Sequence, residues 1–109
     1  MLKLEEEAKK FMQDNLAITE VMTADFYEAR ANNTAIFPKE KALEYLALGL
    51  TSEAGEVAGK IKKIIRDGKG NKEAIAYEIG DVLWYCAVLA SELGVSLNTI
   101  MKKNLEKLH

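Results

Sequence analysis

The sequence predicts a small all-α protein, a bundle of four or five helices. Its 109 residues contain one proline and 7% aromatic residues, and none of its seven glycines belongs to a turn dipeptide between alternating apolar strands. Apolar residues recur instead at steps of three and four, which is the spacing of one helix face. We expect a single domain over residues 1–109, without repeats or low-complexity tracts.

Two amphipathic stretches occupy the variable N-terminal segment, residues 1–38. The first covers residues 3–14 and the second runs from about Ile18 to Ala31, and the pattern leaves open whether they form one helix or two. A loop is expected over residues 32–37. It precedes Pro38, which suits the first turn of a new helix because its missing N–H would have no partner there anyway. The apolar positions of the first stretch are Leu4, Ala8, Phe11 and Met12.

The motif-bearing segment, residues 39–109, holds the remaining helices. The first of them begins near Lys39, and Gly68 is the natural residue to follow its last turn. Its interruption by Gly49 and by the polar residues 51 and 52 leaves open a division into two helices.

The most apolar helix follows, with Asn71 as its N-cap and Gly94 at its end. The 18 residues from Ala74 to Ser91 contain only two charges, both acidic, and each would cost about 2.5–3.5 kcal/mol at the centre of a bilayer. We therefore interpret this segment as a buried bundle helix and not as a membrane span. Ser96 then caps a short final helix.

Composition excludes several functional classes. The formal net charge is -2, so the chain lacks the basic excess that binding to a nucleic-acid polymer requires. The single cysteine, Cys86, is interpreted as a packing residue that forms no internal disulfide, and a reducing cytoplasm is the expected compartment. A chain this short buries a small core, which favours a homo-oligomer.

Two pairs of carboxylates are spaced three residues apart on predicted helices: Glu53 with Glu56, and Glu78 with Asp81. This spacing places both members of a pair on one helix face. A solvated face is the ordinary explanation for such a pair. The second pair, however, is embedded in the most apolar helix, where an exposed stripe would contain more polar residues.

Glycines inside the same helices indicate a close approach between them, because a helix-interior glycine lowers stability by about 1 kcal/mol relative to alanine. These are Gly55, Gly59 and Gly80. If the helices pack closely, the four carboxylates converge into an all-oxygen cluster. Such a cluster must be protonated or must bind a cation, and Mg²⁺ prefers oxygen ligands. Cleavage of a phosphate ester or anhydride is the chemistry that this suggests.

Other metal and catalytic sites lack their ligands. A di-iron bundle needs Glu-x-x-His pairs, but the one histidine is His109 at the end of the chain. One cysteine and that histidine are too few ligands for a zinc site, and Ser/His/Asp catalysis lacks an internal histidine. The Gly68-Lys69-Gly70 segment does not match a phosphate-binding loop.

The motifs of residues 43–108 resemble those of the MazG-like nucleotide pyrophosphohydrolases. They are Gly49-Leu50-x-x-Glu53-Ala54-Gly55-Glu56-Val57-Ala58, Lys60-x-Lys62-Lys63, Glu78-Ile79-Gly80-Asp81-Val82-Leu83-Trp84-Tyr85, Leu93-Gly94-x-Ser96-Leu97 and Asn104-x-x-Lys107-Leu108. The resemblance implies an all-α enzyme that converts a nucleoside triphosphate to its monophosphate and pyrophosphate with Mg²⁺, or with Mn²⁺ as a substitute. It also implies a helical bundle built across the interface of a homodimer or homotetramer.

The resemblance implies roles for individual residues. It assigns the metal-binding carboxylates to Glu53, Glu56, Glu78 and Asp81, and Glu53 is the candidate catalytic base. Contacts to the nucleotide or its phosphates are implied for Tyr85, Asn104 and Lys107, with Lys60, Lys63 and Lys103 as weaker candidates. Tyr27 and Trp84 are interpreted as packing residues.

Two alternatives stay open at this point. The chain is either an enzyme or a non-catalytic helical module that binds a partner or a nucleotide. Within the enzyme class, the substrate is a range of (deoxy)nucleoside triphosphates, phosphoribosyl-ATP or a dUTP-like nucleotide alone. The four acids, kept in apolar helices, favour the enzyme.

Overall fold

The computed structural model of the protein describes residues 2–13 and 16–109, with side chains from residue 6 onward. The side chain of the predicted apolar position Leu4 and the whole of the predicted helix residue Asp14 therefore lie outside what the structure describes. Five α-helices and a short 3₁₀ helix make up the described chain, which contains no strand, so the all-α prediction is confirmed. The helices are α1 (Leu2–Gln13), α2 (Ala24–Asn33), α3 (Ala42–Asp67), α4 (Lys72–Leu93) and α5 (Leu97–Leu108), and the 3₁₀ helix spans Lys39–Lys41.

The N-terminal segment forms two separate helices. The predicted start of the second helix at Ile18 is wrong, because α2 begins only at Ala24. Thr23 determines this boundary: its backbone is extended and its hydroxyl accepts a hydrogen bond of 3.0 Å from the N–H of Phe26. Pro38, with φ of -64°, precedes the 3₁₀ helix that leads into α3.

The longest helices, α3 and α4, form an antiparallel hairpin. The division of α3 that the sequence left open does not occur, and Thr51 is accommodated because its hydroxyl donates to the carbonyl of Ala47 at 3.0 Å. Gly68 ends α3 in the left-handed conformation, with φ of 71°, and its N–H donates to the carbonyl of Ile64 at 2.8 Å. Asn71 then caps α4 by accepting from the N–H of Ala74. Both predicted helix ends are confirmed.

Helix α4 is the centre of the packing and contacts all four other α-helices. It is long and apolar enough to cross a membrane by length and composition alone. The prediction of a buried helix holds only for one face of its second half, where Ala87, Val88 and Ala90 are buried, since Ile79 is 48% and Leu83 52% exposed. The core lies where α2 and the first turns of α3 meet the second half of α4, and its buried side chains are Ala31, Leu46, Ala87 and Val88.

Helix α5 is held in place by Glu28 of α2. One carboxylate oxygen accepts from the N–H of Leu97 at 2.8 Å, and the other accepts from the hydroxyl of Ser91 on α4. The negative charge of this carboxylate also interacts favourably with the positive, N-terminal end of the α5 dipole. Ser96 is the N-cap, as predicted, and accepts from the N–H of Thr99. One acidic side chain thereby connects three helices.

Candidate metal centre

Three carboxylates meet on the α3–α4 hairpin. Glu53 of α3, with Glu78 and Asp81 of α4, each contribute an oxygen that lies within 4.8 Å of the other two. Glu53 and Glu78 are half-buried, and Asp81 is exposed. We call this group the carboxylate cluster. It arises because Glu78 and Asp81 share one face of α4, and the antiparallel register places Glu53 opposite that face.

Crowding of like charges raises the proton affinity of the carboxylate cluster. A hydrogen bond with Glu78 raises the pKa of Glu53 above its usual value, and partial burial and the charge of Asp81 add to this effect. Partial burial raises the pKa of Asp81, with the charge of Glu78 as the second cause. Both changes disfavour the ionised carboxylates, and a cation placed between them would reverse this.

Glu56, the fourth predicted carboxylate, is exposed and lies outside the carboxylate cluster. Its charge still contributes to the raised pKa of Glu53, so the two side chains are close. The same three-residue spacing brings both Glu78 and Asp81 into the cluster, so the position of Glu56 reflects how far α3 is rotated about its own axis in the hairpin. The structure therefore places Glu56 as a flanking acid.

The close approach predicted at three glycines is wrong among the described residues. A Cβ added to Gly55, Gly59 or Gly80 would meet none of their atoms within 4 Å beyond its own helix backbone and chain neighbours. The helices instead approach closely at Gly49, where a Cβ would overlap the ring of Tyr85. The sequence alone does not reveal this, because glycine identifies a close approach only once the facing residue is known.

Two tyrosines flank the carboxylate cluster. Tyr85, a predicted substrate contact, lies one turn after Asp81, and burial raises its pKa, with smaller contributions from Tyr45 and from the charges of Glu53 and Asp81. Tyr27 packs against the core, as predicted, but its hydroxyl also lies 3.5 Å from the carbonyl of Gly80. Burial and then the charge of Asp81 raise the pKa of Tyr27. No short-range signal predicts this contact, since 53 residues separate its partners.

Of the four predicted lysine contacts, Lys60 lies at the carboxylate cluster. Its Nζ is 3.6 Å from the Oε1 atom of Glu78. Lys63 is exposed nearer the end of α3, where a hydrogen bond from Arg66 lowers the pKa of Asp67 and the charge of Lys63 assists. Lys63 therefore lies toward the loop of the hairpin.

The remaining predicted contacts lie on α5, which packs against α2 and α4. Lys103, Asn104 and Lys107 are exposed, and the structure does not bring them into the carboxylate cluster. They line a surface cavity of about 510 Å³. The other residues of this cavity are Val95, Thr99 and Ile100.

The geometry of the carboxylate cluster fits a hard divalent cation. Such ions bind oxygen at about 2.0–2.6 Å, so ligands on opposite sides of an ion are about 4–5 Å apart. The three carboxylate oxygens already meet this limit, since they lie within 4.8 Å of one another. Their partial exposure leaves room for water or substrate oxygens to complete the coordination shell.

Comparisons with known proteins give one family match and two similar proteins. Residues 41–109 match the model of the MazG nucleotide pyrophosphohydrolase domain. The chain is 43% identical over 98 residues to the Gene 37 protein of Mycobacterium phage L5, a match that covers 80% of this chain and 86% of that protein. It is 36% identical over 104 residues to the uncharacterized protein YvdC of Bacillus subtilis strain 168, covering 85% of this chain and 92% of that protein.

No solved structure matches the chain significantly. The matched residues, 41–109, begin at the last residue of the 3₁₀ helix and include α3, α4 and α5, and with them the whole carboxylate cluster. The family match covers more than half of the chain, and the arrangement of acids on its two longest helices agrees with a metal-dependent family. The protein thus belongs to the MazG nucleotide pyrophosphohydrolase domain family.

Proposed function

We propose that the protein hydrolyses nucleoside triphosphates to the monophosphate and pyrophosphate with Mg²⁺ held by the carboxylate cluster. The observation that carries the proposal is the meeting of Glu53, Glu78 and Asp81 in a chain whose family is described as a nucleotide pyrophosphohydrolase domain. Removal of noncanonical or excess nucleotides from the cellular pool is the role that this reaction serves.

The roles of the acids follow from their placement. Glu78 and Asp81 share one face of α4 and are proposed as ligands, and Glu56 flanks them as a further ligand. Glu53 is proposed as both a ligand and the base, because it faces Glu78 and Asp81 from the opposite helix and its carboxylate can accept a proton from a water held between them. When bound, the metal ion polarises the phosphate and lowers the pKa of the attacking water.

Cationic side chains and Tyr85 are proposed to bind the substrate. Lys60 and Tyr85 lie beside the carboxylate cluster, within reach of a nucleotide held there. Lys63, Lys103, Asn104 and Lys107 stay predicted phosphate or nucleotide contacts, and α5 presents the last three together along one surface cavity.

We further propose a cytoplasmic homodimer or homotetramer that acts on free nucleotides and not on nucleic-acid polymers. The net charge of -2 gives no general attraction to polynucleotides. Apolar side chains that are about half exposed on α4 and α5, among them Leu83 and Met101, support subunit association.

A panel of canonical and modified nucleoside triphosphates, with dUTP and phosphoribosyl-ATP as separate members, tests the proposal. We expect release of pyrophosphate and monophosphate that depends on Mg²⁺. Release of orthophosphate would indicate a different reaction. Nucleotide binding without any hydrolysis would support the non-catalytic module instead.

Replacement of the acids links the activity to the site. We expect Asp81→Ala and Glu56→Ala to lower the rate of pyrophosphate release by roughly 100-fold or more, the scale of losing a group that stabilises developing charge. Glu44→Ala, at an exposed carboxylate on the same helix as Glu56, is the control and should retain activity. Circular dichroism checks that the variants stay helical. Full activity in both Asp81→Ala and Glu56→Ala would refute the assignment.

A further inference from the structure

Lys60 makes an ion pair that crosses the hairpin. Its Nζ lies 3.6 Å from Glu78, and the two side chains retain 31% and 19% of their exposure, respectively. Of the three ion pairs in the described part of the chain, this is the one that involves a member of the carboxylate cluster. A lysine ammonium therefore already neutralises part of the charge at the proposed metal site.

Lys60 pairs with Glu78 although another glutamate is available on its own helix. Glu56 lies four residues before Lys60, and Glu-to-Lys at this spacing is the favourable order for an ion pair along a helix. The ammonium nevertheless lies against Glu78 of the opposite helix. The reason is electrostatic, because three acids meet there and their combined potential exceeds that of a single exposed glutamate.

This position conflicts with a divalent ion. Glu78 is both the partner of Lys60 and a member of the group of oxygens that fits a metal. A cation held by the same carboxylates would repel the ammonium at short range, and the surroundings are only partly exposed, so water screens that repulsion incompletely. Lysine has a flexible four-carbon stem that allows it to move away.

We propose that Lys60 is a built-in counter-cation, which pairs with Glu78 before metal binds and is released toward the substrate phosphates when Glu78 binds the metal. The pairing of Lys60 with Glu78 rests on the observed ion pair, and the contact of Lys60 with substrate phosphates rests on the proposed function. Phosphate recognition by Lys60 then depends on metal loading, so the metal-free protein does not present this cation to a nucleotide.

Metal affinity in the absence of nucleotide is the first test. Titration calorimetry with Mg²⁺, and with Mn²⁺ as a second probe, compares the unmodified protein with Lys60→Met and Lys62→Met. Lys62 is an exposed lysine on the same helix and serves as the matched control. We expect Lys60→Met to bind the ion roughly three- to tenfold more tightly, the scale of one removed ion pair, and Lys62→Met to be unchanged. Equal or weaker binding by Lys60→Met overturns the proposal.

Release of the Lys60 ammonium needs a second test. Removing any nearby positive charge would tighten metal binding, so the affinity alone does not show that Lys60 moves. Amine acetylation followed by peptide mass spectrometry measures the reactivity of Lys60 with and without Mg²⁺. We expect labelling of Lys60 to rise several-fold with the ion while labelling of Lys62 stays constant. Unchanged or reduced labelling of Lys60 shows that the ion pair persists and overturns the release.

Both measurements are independent of substrate turnover. A protein that binds Mg²⁺ and releases Lys60 but hydrolyses no nucleotide would refute the proposed function and leave the release of Lys60 standing. Hydrolysis of nucleotides with unchanged labelling of Lys60 would support the proposed function and refute the release of Lys60. Failure to bind Mg²⁺ or Mn²⁺ at all overturns both, and circular dichroism of each variant confirms that it is folded.

Discussion

At the residue scale, the proton affinity of Glu53 connects the site to the stability of the protein. Its pKa is raised chiefly by the hydrogen bond with Glu78, so the folded state holds this proton more tightly than the unfolded state does. The resulting stabilisation is complete below the usual pKa of glutamate and is lost as the pH rises through the raised value. Without metal, the ionised carboxylate cluster therefore destabilises the fold at neutral pH.

We expect Glu53→Gln to raise the thermal midpoint of the metal-free protein at pH 7 by about 2–5 °C, a change of under 1 kcal/mol in a domain of this size. The amide removes the negative charge but still donates to Glu78. The gain should shrink toward zero near pH 4, where Glu53 is itself protonated. Calorimetry between pH 4 and pH 8, with Glu44→Gln as control, provides the measurement. A midpoint at pH 7 equal to or below that of the unmodified protein would contradict this interpretation.

The sequence placed Glu78 and Asp81 on one helix face because their three-residue spacing is a local property, and it brought Glu53 to them only on the condition that the two helices pack closely. It was insufficient to separate Glu56 from them, since that depends on how far each helix is rotated about its axis in the hairpin. The contact between Tyr27 and Gly80 was missed for a similar reason, as it joins helices distant in sequence.

At the element scale, the α3–α4 hairpin determines the site, and Gly49 of α3 packs against the ring of Tyr85 on α4. We expect Gly49→Ala to destabilise the protein by about 1–3 kcal/mol, because the added methyl group overlaps the ring of Tyr85 in a packed position. Gly55→Ala is the matched variant, with open space around the new Cβ, and should stabilise α3 by up to about 1 kcal/mol. Urea unfolding of both variants distinguishes the two effects. Equal stability of the pair would mean that Gly49 is not a packing contact.

Helix boundaries marked by a capping residue were predicted accurately, whereas the start of α2 was not. Gly68, Asn71, Gly94 and Ser96 all act where the sequence indicated, because capping depends on one side chain or one left-handed residue. The start of α2 was placed too early, since apolar spacing continues through residues 18–22 while Thr23 alone ends the extended segment. Periodicity measures which face is apolar, and it does not reveal where the helix begins.

At the scale of the whole molecule, the described chain has a small core and a large exposed apolar surface. The buried hydrophobic residues are Ala31, Ala42, Leu46, Ala87, Val88 and Ala90. A cavity of about 290 Å³ opens beside Leu83 and Met101, which are 52% and 50% exposed. Burial of this surface between subunits would supply hydrophobic stabilisation that one chain lacks.

We therefore expect sedimentation velocity to give a dimer or tetramer, and Leu83→Glu to shift the protein toward the monomer, because it places a charge in the apolar surface. The dissociation constant should rise by roughly 100-fold or more, as for a buried unpaired charge. Ile36→Glu, at a 90% exposed loop position outside that surface, is the control and should leave association unchanged. A monomeric unmodified protein at micromolar concentration, or association unaffected by Leu83→Glu, would contradict the prediction.

The four-residue connection between α3 and α4 has a consequence for how the protein forms and diversifies. All three acids of the cluster come from one uninterrupted stretch of chain, closed by a short loop, so little entropy is lost in bringing them together. Contacts of low sequence separation form early in folding, and the hairpin can therefore act as a nucleus on which the two N-terminal helices dock later. Sequence changes in the two N-terminal helices then alter the surroundings of the three acids without moving the acids apart. The family match agrees with this division of the chain, because it begins only at residue 41.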